Sequence, residues 1–345
     1  MPATRPDFSF IAHPRDEGDI FRARPLSLLR AMSRDDADFV ARALSLPPFH
    51  LADVTVGFGP FQGEVTTICC LPPDVVTDRG RREIRIALRD AVESGASVIG
   101  LGALTAPATR GGRDLVEQVP AGVTITNGNA FTAAVVIEQV REACAHVAGA
   151  RRAHVAVVGC TGSIGSVVSH RLAAEDVELI LIGRTLARTH AVVGDLAPAA
   201  RLSADLAHAA GADVVLVLTS ASAMRALPEH LGAGCVLIDA AEPPALSADT
   251  LAGTTYVRGG RVRIDGYRCT YDFGFERPDE TFACLAETYL FVREGIRQHS
   301  VGAPDPALVA RLERAARRHG ARPAPLFPTD ETPATAKEHD ASPAR

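Results

Sequence analysis

Lysine is almost missing from this 345-residue chain: the one example is Lys337, so nearly all of the 36 basic residues are arginine. Chemistry that needs a buried amine of lowered pKa is thereby excluded, including a Tyr-xxx-Lys reductase and a Lys/Asp proton relay. No run approaches the roughly 20 apolar residues that span a bilayer. The opening residues MPATRPDFSFIAHPRDEGD lack the basic segment and apolar core of a secretory signal, so the expected location is the cytoplasm. A formal charge of −5, with both signs interspersed, leaves no basic stripe for nucleic-acid phosphates. The cysteines, Cys69, Cys70, Cys144, Cys160, Cys235, Cys269 and Cys284, contain no CxxC pair and sit mostly in apolar runs. Neither a disulfide framework nor a zinc site is indicated.

What is present is ample core material: 47% apolar and 22% charged residues suffice for two domains. Residues 1–150 read as an α/β segment, with alternating strand patterns at Ala52–Val56 and Glu64–Cys69. A helix-spaced GRREIRIALRDAVESGA leads to the strand Ser97–Leu101, and Thr124–Asn129 leads into the helical AFTAAVVIEQVREACAHVAG. Residues 151–270 are more regular, because HVAVVG, VELILIG, ADVVLVLTS and GCVLIDA alternate with Ala-rich helical stretches. That alternation predicts a parallel sheet with crossover helices. Residues 271–322 read as two helices, DETFACLAETYLFVREGIRQ and PALVARLERAARRHG, and 323–345 as a disordered polar tail.

The segment Gly159-Cys160-Thr161-Gly162-Ser163-Ile164-Gly165 follows a strand and opens a helix. In that context it predicts a Rossmann-type phosphate loop within a doubly wound parallel sheet. Gly159 permits the turn, Gly162 lets the backbone approach a pyrophosphate, and Gly165 lets the helix lie close on the strand. Amides at the helix start, including those of Ser163 and Ile164, then face the phosphates. The next strand ends Gly183-Arg184-Thr185, with no carboxylate to accept a bond from a ribose 2′-hydroxyl. Arg184 instead suits a 2′-phosphate, so NADPH is the expected cofactor. Thr219 and Ser220, at the end of the fourth strand, are expected at the ligand-binding edge.

Cys284 follows Asp279, which is expected to cap a helix beginning at Glu280, so that the helix dipole favours a thiolate. The stretch Phe282-Ala283-Cys284-Leu285-Ala286-Glu287 resembles the Phe-Ala-Cys-Phe-Ala-Glu segment of cyanobacterial-type long-chain acyl-[acyl-carrier-protein] reductases. Further collinear likenesses are Ile11-Ala12-His13, Cys69-Cys70-Leu71-Pro72, Leu101 to Thr105, Asn127 to Ala133, Val158 to Gly165 and Arg318-His319-Gly320. Together they cover about residues 9–326. The chain departs from that family after Asp239, where Gly-Gly-Tyr-Pro-Lys is replaced by Ala240-Ala241-Glu242-Pro243-Pro244. It departs again where Asn127 and Phe131 replace a threonine and a histidine.

The resemblance implies an aldehyde-forming acyl-thioester reductase. Cys284 would attack the thioester of an acyl carrier protein or coenzyme A, NADPH would reduce the acyl-enzyme, and a downstream enzyme would consume the aldehyde. Helix-terminal amides, Asn129 and His319 are alternative oxyanion donors; Glu287 either orients a partner or is solvated. Arginines near the cleft mouth would meet an acidic carrier, although Arg79, Arg81 and Arg82, or Arg311, Arg314 and Arg317, read as solvated faces. The alternatives are an oxidoreductase like glutamyl-tRNA reductase or shikimate dehydrogenase, or a non-catalytic nucleotide-sensing scaffold. The missing basic RNA-binding region and the missing lysine, respectively, weigh against the first two.

Overall fold

The computed structural model describes residues 5–57, 61–147, 151–219, 224, 226–247, 249, 251 and 253–327. In chain order the strands are β1 (Phe8–Ala12), β2 (Phe49–Val56), β3 (Gln62–Thr67), β4 (Val98–Leu101), β5 (Thr124–Thr126), β6 (Ala153–Val158), β7 (Val177–Ile182) and β8 (Ala200–Ser203). They continue as β9 (Val214–Val217), β10 (Val236–Asp239), β11 (Thr255–Arg258), β12 (Arg261–Ile264), β13 (Tyr267–Cys269), β14 (Glu280–Phe282) and β15 (Ala321–Pro323).

One six-stranded sheet has the order β11-β10-β9-β6-β7-β8 with every pair parallel. This is the doubly wound Rossmann order, entered at β6 and reversing direction between β6 and β9. Its central strands are buried on both faces, which is why Val214–Val217 and Val236–Asp239 read as short apolar runs. Successive side chains point to opposite sides. Val155, Val157, Leu179, Leu181 and Leu216 join the core that includes the helices Asn129–Val147 and Ser163–Leu172. Ala156, Val158, Val215, Val217 and Leu237 face a separate cluster with Leu227 and Ala209.

The other six-stranded sheet is mixed, in the order β13-β2-β3-β1-β4-β5. β3, β1, β4 and β5 run parallel, whereas β2 and β13 are antiparallel additions at one edge. Thus β12 and β13, from within 151–270, belong to the two sheets other than the Rossmann one. A three-stranded sheet, β14-β12-β15, carries the chain into the helix Ala283–Arg293. That helix packs on β1 and β4 and against the helix Asn129–Val147, so it lies between the first sheet and the Rossmann half.

The start of the C-terminal region differs from the sequence expectation. Asp279 does not cap a helix: it pairs with Arg277 at 3.0 Å, and residues 280–282 form β14. Pairing of Glu280, Thr281 and Phe282 with Arg263, Val262 and Arg261 holds the chain extended, and the helix starts at Ala283 without a side-chain cap. Long-range pairing here overrides a local helical pattern. The first residues of the segment expected as a tail are also placed. Ala324 donates its amide to the Arg261 carbonyl at 2.9 Å, and the Phe327 ring stacks on His146 with centroids 3.9 Å apart. Residues 328–345 lie outside the described residues. Among the described residues, no helix is long and apolar enough to cross a membrane.

Candidate functional site

The loop after β6 has the geometry of a phosphate cradle. Gly159 has φ +96° and approaches Leu218 so closely that a Cβ would stand 3.0 Å from its carbonyl carbon. A Cβ on Gly165 would overlap the Gly159 carbonyl oxygen, whereas one on Gly162 would meet only that oxygen, at 3.3 Å. Two glycines therefore close the turn, and Gly162 faces open space. Gly162 and Ser163 are exposed, Thr161 and Ile164 half-buried, and Gly165 buried. The helix Ser163–Leu172 starts without a side-chain cap, so its first amides are presented outward. These features fit a dinucleotide pyrophosphate.

Gly183, at the end of β7, brings that strand against the loop: its Cβ would lie 2.9 Å from Thr161 Cγ2 and would overlap Thr189. Arg184 follows it, exposed. Thr185 is occupied structurally, accepting the Arg188 amide at 3.3 Å as the cap of the helix Leu186–Val193. Thr219 lies half-buried beside Gly159, where the Cβ-to-Cβ approach would be 3.2 Å. Ser220 lies outside the described residues.

Cys284 is the second residue of its helix and is packed against two loops. Gly128, with φ +75°, sits on it so tightly that any Cβ there would overlap Cys284 Cβ. The backbone amides of Ala103 and Leu285 point at the sulfur. Ala103 holds φ +48°, a left-handed conformation unusual for a residue with a Cβ. Burial pushes the Cys284 thiol up to about 12, outweighing the amides of Ala103 and Leu285, while the carboxylates of Glu242 and Glu287 push it further up. The expectation that the helix dipole favours a thiolate is thus overturned, because desolvation of the charged sulfur is the larger effect.

Glu287, one turn along, is fully buried rather than solvated. It accepts the Phe131 amide at 2.6 Å and a hydrogen bond from the Thr126 hydroxyl. It thereby ties the start of the helix Asn129–Val147 to the Cys284 helix, and burial raises its pKa. Asn129 donates its side-chain amide to the Gly302 carbonyl at 3.2 Å, and Asn127 donates to Gly302 and Gly111 at 2.9 and 3.0 Å. His319 bonds Glu294 at 2.8 Å, at the far end of the Cys284 helix. Ten residues at about 1.5 Å rise put it roughly 15 Å from Cys284. Of the expected oxyanion donors, only helix-terminal amides lie at the sulfur.

Cys284 lines a cavity with about 740 Å³ of empty space, its open mouth included. The wall is mainly apolar, formed by Phe10, Ile20, Leu26, Leu44, Phe49 and Phe273 among others. Its charged and ionisable members include His13, Arg15, Asp19 and Glu242, beside the hydroxyls of Thr67 and Tyr271; the motifs did not single out Arg15, Asp19 or Glu242 as site residues. Glu242 stands on the loop after β10, and this loop belongs to the carboxyl edge of the Rossmann sheet. Asp239, fully buried, shapes that loop by accepting the amides of Ala241, Ala245 and Leu246 at 3.0, 2.8 and 3.1 Å. Arg258, from β11, bridges Asp239 and Glu242 at 3.1 and 3.0 Å. The cavity thus meets the cysteine and the nucleotide-binding edge together. Ala283, beside the cysteine, is also tied to that edge, its amide donating to the Gly260 carbonyl at 2.9 Å.

No protein-family model matches the chain, and no curated protein does. Among solved structures, L-tryptophan dehydrogenase from Nostoc punctiforme aligns over 91% of this chain and 80% of its own, with 14% identity and a TM-score of 0.43. D-arabinose dehydrogenase from Sulfolobus solfataricus aligns over 38% of this chain at 16% identity and TM-score 0.31; the match spans 44% of that protein. The nucleotide-binding domain of glutamyl-tRNA reductase from Thermoplasma volcanium aligns over 36% of this chain and 84% of its own, at 16% identity and TM-score 0.26. Likeness this distant assigns no activity to this chain.

Proposed function

We propose that this chain is an NADPH-dependent oxidoreductase that converts an acyl thioester, presented by acyl carrier protein or coenzyme A, to an aldehyde through an acyl group held on Cys284. The observation that carries this reading is the mainly apolar cavity lined by both Cys284 and Glu242 of the Rossmann edge loop. A hydrocarbon chain is the ligand such a wall desolvates favourably, at about 25 cal/mol per Å² of apolar surface removed from water.

The residues divide the work accordingly. The cavity orients the acyl chain so that its carbonyl carbon meets Sγ, and attack forms the acyl-enzyme with release of the carrier thiol. In this reading the amides of Ala103 and Leu285, which lie near the sulfur, donate to the carbonyl oxygen as negative charge develops on it. The loop from Gly159 to Gly165 holds the pyrophosphate and Arg184 the 2′-phosphate; when bound, the dinucleotide supplies the hydride for reduction to the aldehyde. Glu287 keeps the Cys284 helix and the turn at Gly128 in register. Burial around the sulfur also keeps water from the acyl-enzyme, so that reduction is favoured over hydrolysis.

Intact-mass measurement with acyl-CoA and acyl-carrier substrates, followed by addition of NADPH, tests the reading. The wild-type chain should gain the acyl mass, then lose it with oxidation of NADPH. A Cys284→Ser variant should gain no adduct and turn over at least about 1,000-fold more slowly, since the nucleophile is removed. A wild-type protein that neither gains the mass nor oxidises NADPH defeats the proposal.

A further inference from the structure

Acyl transfer to Cys284 requires a proton acceptor, because the thiol loses its proton as the sulfur attacks and burial raises its pKa. The acceptors on the cavity wall differ sharply in what they have left to give. His13 donates from Nδ1 to the Pro14 carbonyl at 2.8 Å and accepts the Leu104 amide on Nε2 at 3.2 Å. Both ring nitrogens are therefore used, and burial favours the neutral ring. Asp19 accepts the Arg15 amide and Nε on Oδ2, at 2.8 and 2.7 Å, and both Arg15 and Arg22 on Oδ1. Burial alone would raise its pKa, but these cations bring it down to about 2. Tyr271 donates its hydroxyl to the Asp19 carbonyl at 2.9 Å, and the Cys69 thiol lies 3.7 Å from the Pro47 carbonyl.

Glu242 is different. Its Oε2 meets Arg258 at 3.0 Å, but its Oε1 is buried without any hydrogen-bond partner. A buried carboxylate oxygen left unpaired is costly unless it serves a partner that is present only part of the time. We propose that Glu242 is the proton acceptor for Cys284, taking the thiol proton on Oε1 as the sulfur attacks the thioester. This role rests on the acyl-thioester reading. In the step, the Sγ–C bond forms and the carrier's C–S bond breaks. One proton passes from Sγ to Oε1 and then to the departing carrier sulfur. Glu242 ends ionised and Cys284 acylated, with no change of oxidation state.

The electrostatics suit this exchange. Burial raises the Glu242 pKa, opposed by Arg258, Arg15 and Arg261, and Asp19 adds to the rise. The ionised carboxylate in turn disfavours a free Cys284 thiolate, and transfer of the proton between the two removes that repulsion. The residue type at this position also belongs to this chain, since the family it resembles carries tyrosine where Glu242 stands.

Rapid-quench mass spectrometry of the Cys284 peptide, with decanoyl-CoA and no NADPH, tests the role. Replacement Glu242→Gln should slow acylation about 100-fold. It should also replace a wild-type pH profile that levels off above a carboxyl inflection with one that rises steadily toward alkaline pH. Added acetate should restore part of the rate to Glu242→Ala, and NADPH binding by both variants should equal that of the wild type. Acylation of both variants at the wild-type rate overturns the role, as does a slowed Glu242→Ala that acetate leaves unchanged. The wild-type protein alone also decides: acylation lacking any carboxyl inflection overturns the role of Glu242. A wild type that forms no acyl adduct at all overturns instead the thioester reading beneath it.

Discussion

At the scale of single residues, the site is defined as much by what each side chain is already bonded to as by its type. Cys284, His13, Asp19 and Glu242 line one cavity, yet His13 is engaged at both ring nitrogens by backbone groups and Asp19 by arginine donors, whereas Glu242 keeps one oxygen without a hydrogen-bond partner. In the proposed reading, cofactor choice turns on Arg184. It stands exposed at the end of β7, directly after the glycine that touches Thr161 of the phosphate loop. Replacement Arg184→Ala should weaken NADPH binding by about 10- to 100-fold, the worth of a charge-assisted contact, and leave NADH binding nearly unchanged. Fluorescence titration of both nucleotides checks this, and equal loss for the two would reject Arg184 as the 2′-phosphate partner. Arg184 was legible in the sequence, because its place follows from strand length and loop spacing. Arg15 and Asp19 were not, because nothing local distinguishes them from any surface pair spaced four apart.

At the scale of elements, the turn Thr126–Asn129 does more than connect β5 to a helix. Gly128 lets the backbone approach Cys284 without a Cβ, while Glu287 binds the helix start at Phe131 and the Thr126 hydroxyl. A Gly128→Ala variant combines a positive φ with overlap against Cys284. It should cost about 2 kcal/mol or more of stability. It should also abolish the acyl adduct, as seen by a lowered melting temperature together with intact mass. Normal acylation at normal stability would show that this contact is dispensable. The strands β9 and β10 were readable because burial on both faces demands apolar runs, and β6 and β7 because they are apolar but for His154 and Glu178. β8, β11 and β14 escaped notice. β8 and β11 are edge strands with partly exposed residues, and the pattern of β14 continues smoothly into the helix that follows.

At the scale of the whole molecule, the cavity exists only because several regions distant in sequence close on one another. The helical segment around residues 17–44 supplies the apolar far wall, the β4 loop and Cys284 supply the reacting end, and the β10 loop supplies Glu242. If the cavity holds the acyl chain, narrowing it should act on chain length alone. An Ala23→Leu variant should shift kcat/KM toward shorter acyl thioesters, by about 10-fold for each pair of methylenes excluded, since each buried CH₂ is worth about 0.8 kcal/mol. Assay across a series of acyl-CoAs with saturating NADPH checks this. A uniform loss at every length would place the acyl chain elsewhere.

The sequence by itself determined the phosphate loop, the strand that precedes it and the cation at the end of β7, because these depend on glycine conformation, apolar periodicity and short-range spacing. It also marked Cys284 by local pattern. Tertiary structure decided what that cysteine is. Burial raises its pKa, and the loop after β10 brings a carboxyl group with one unpartnered oxygen to the same wall. Such burial arises where segments distant in sequence line one cavity, as His13 and Cys284 do, and no periodicity along the chain encodes it.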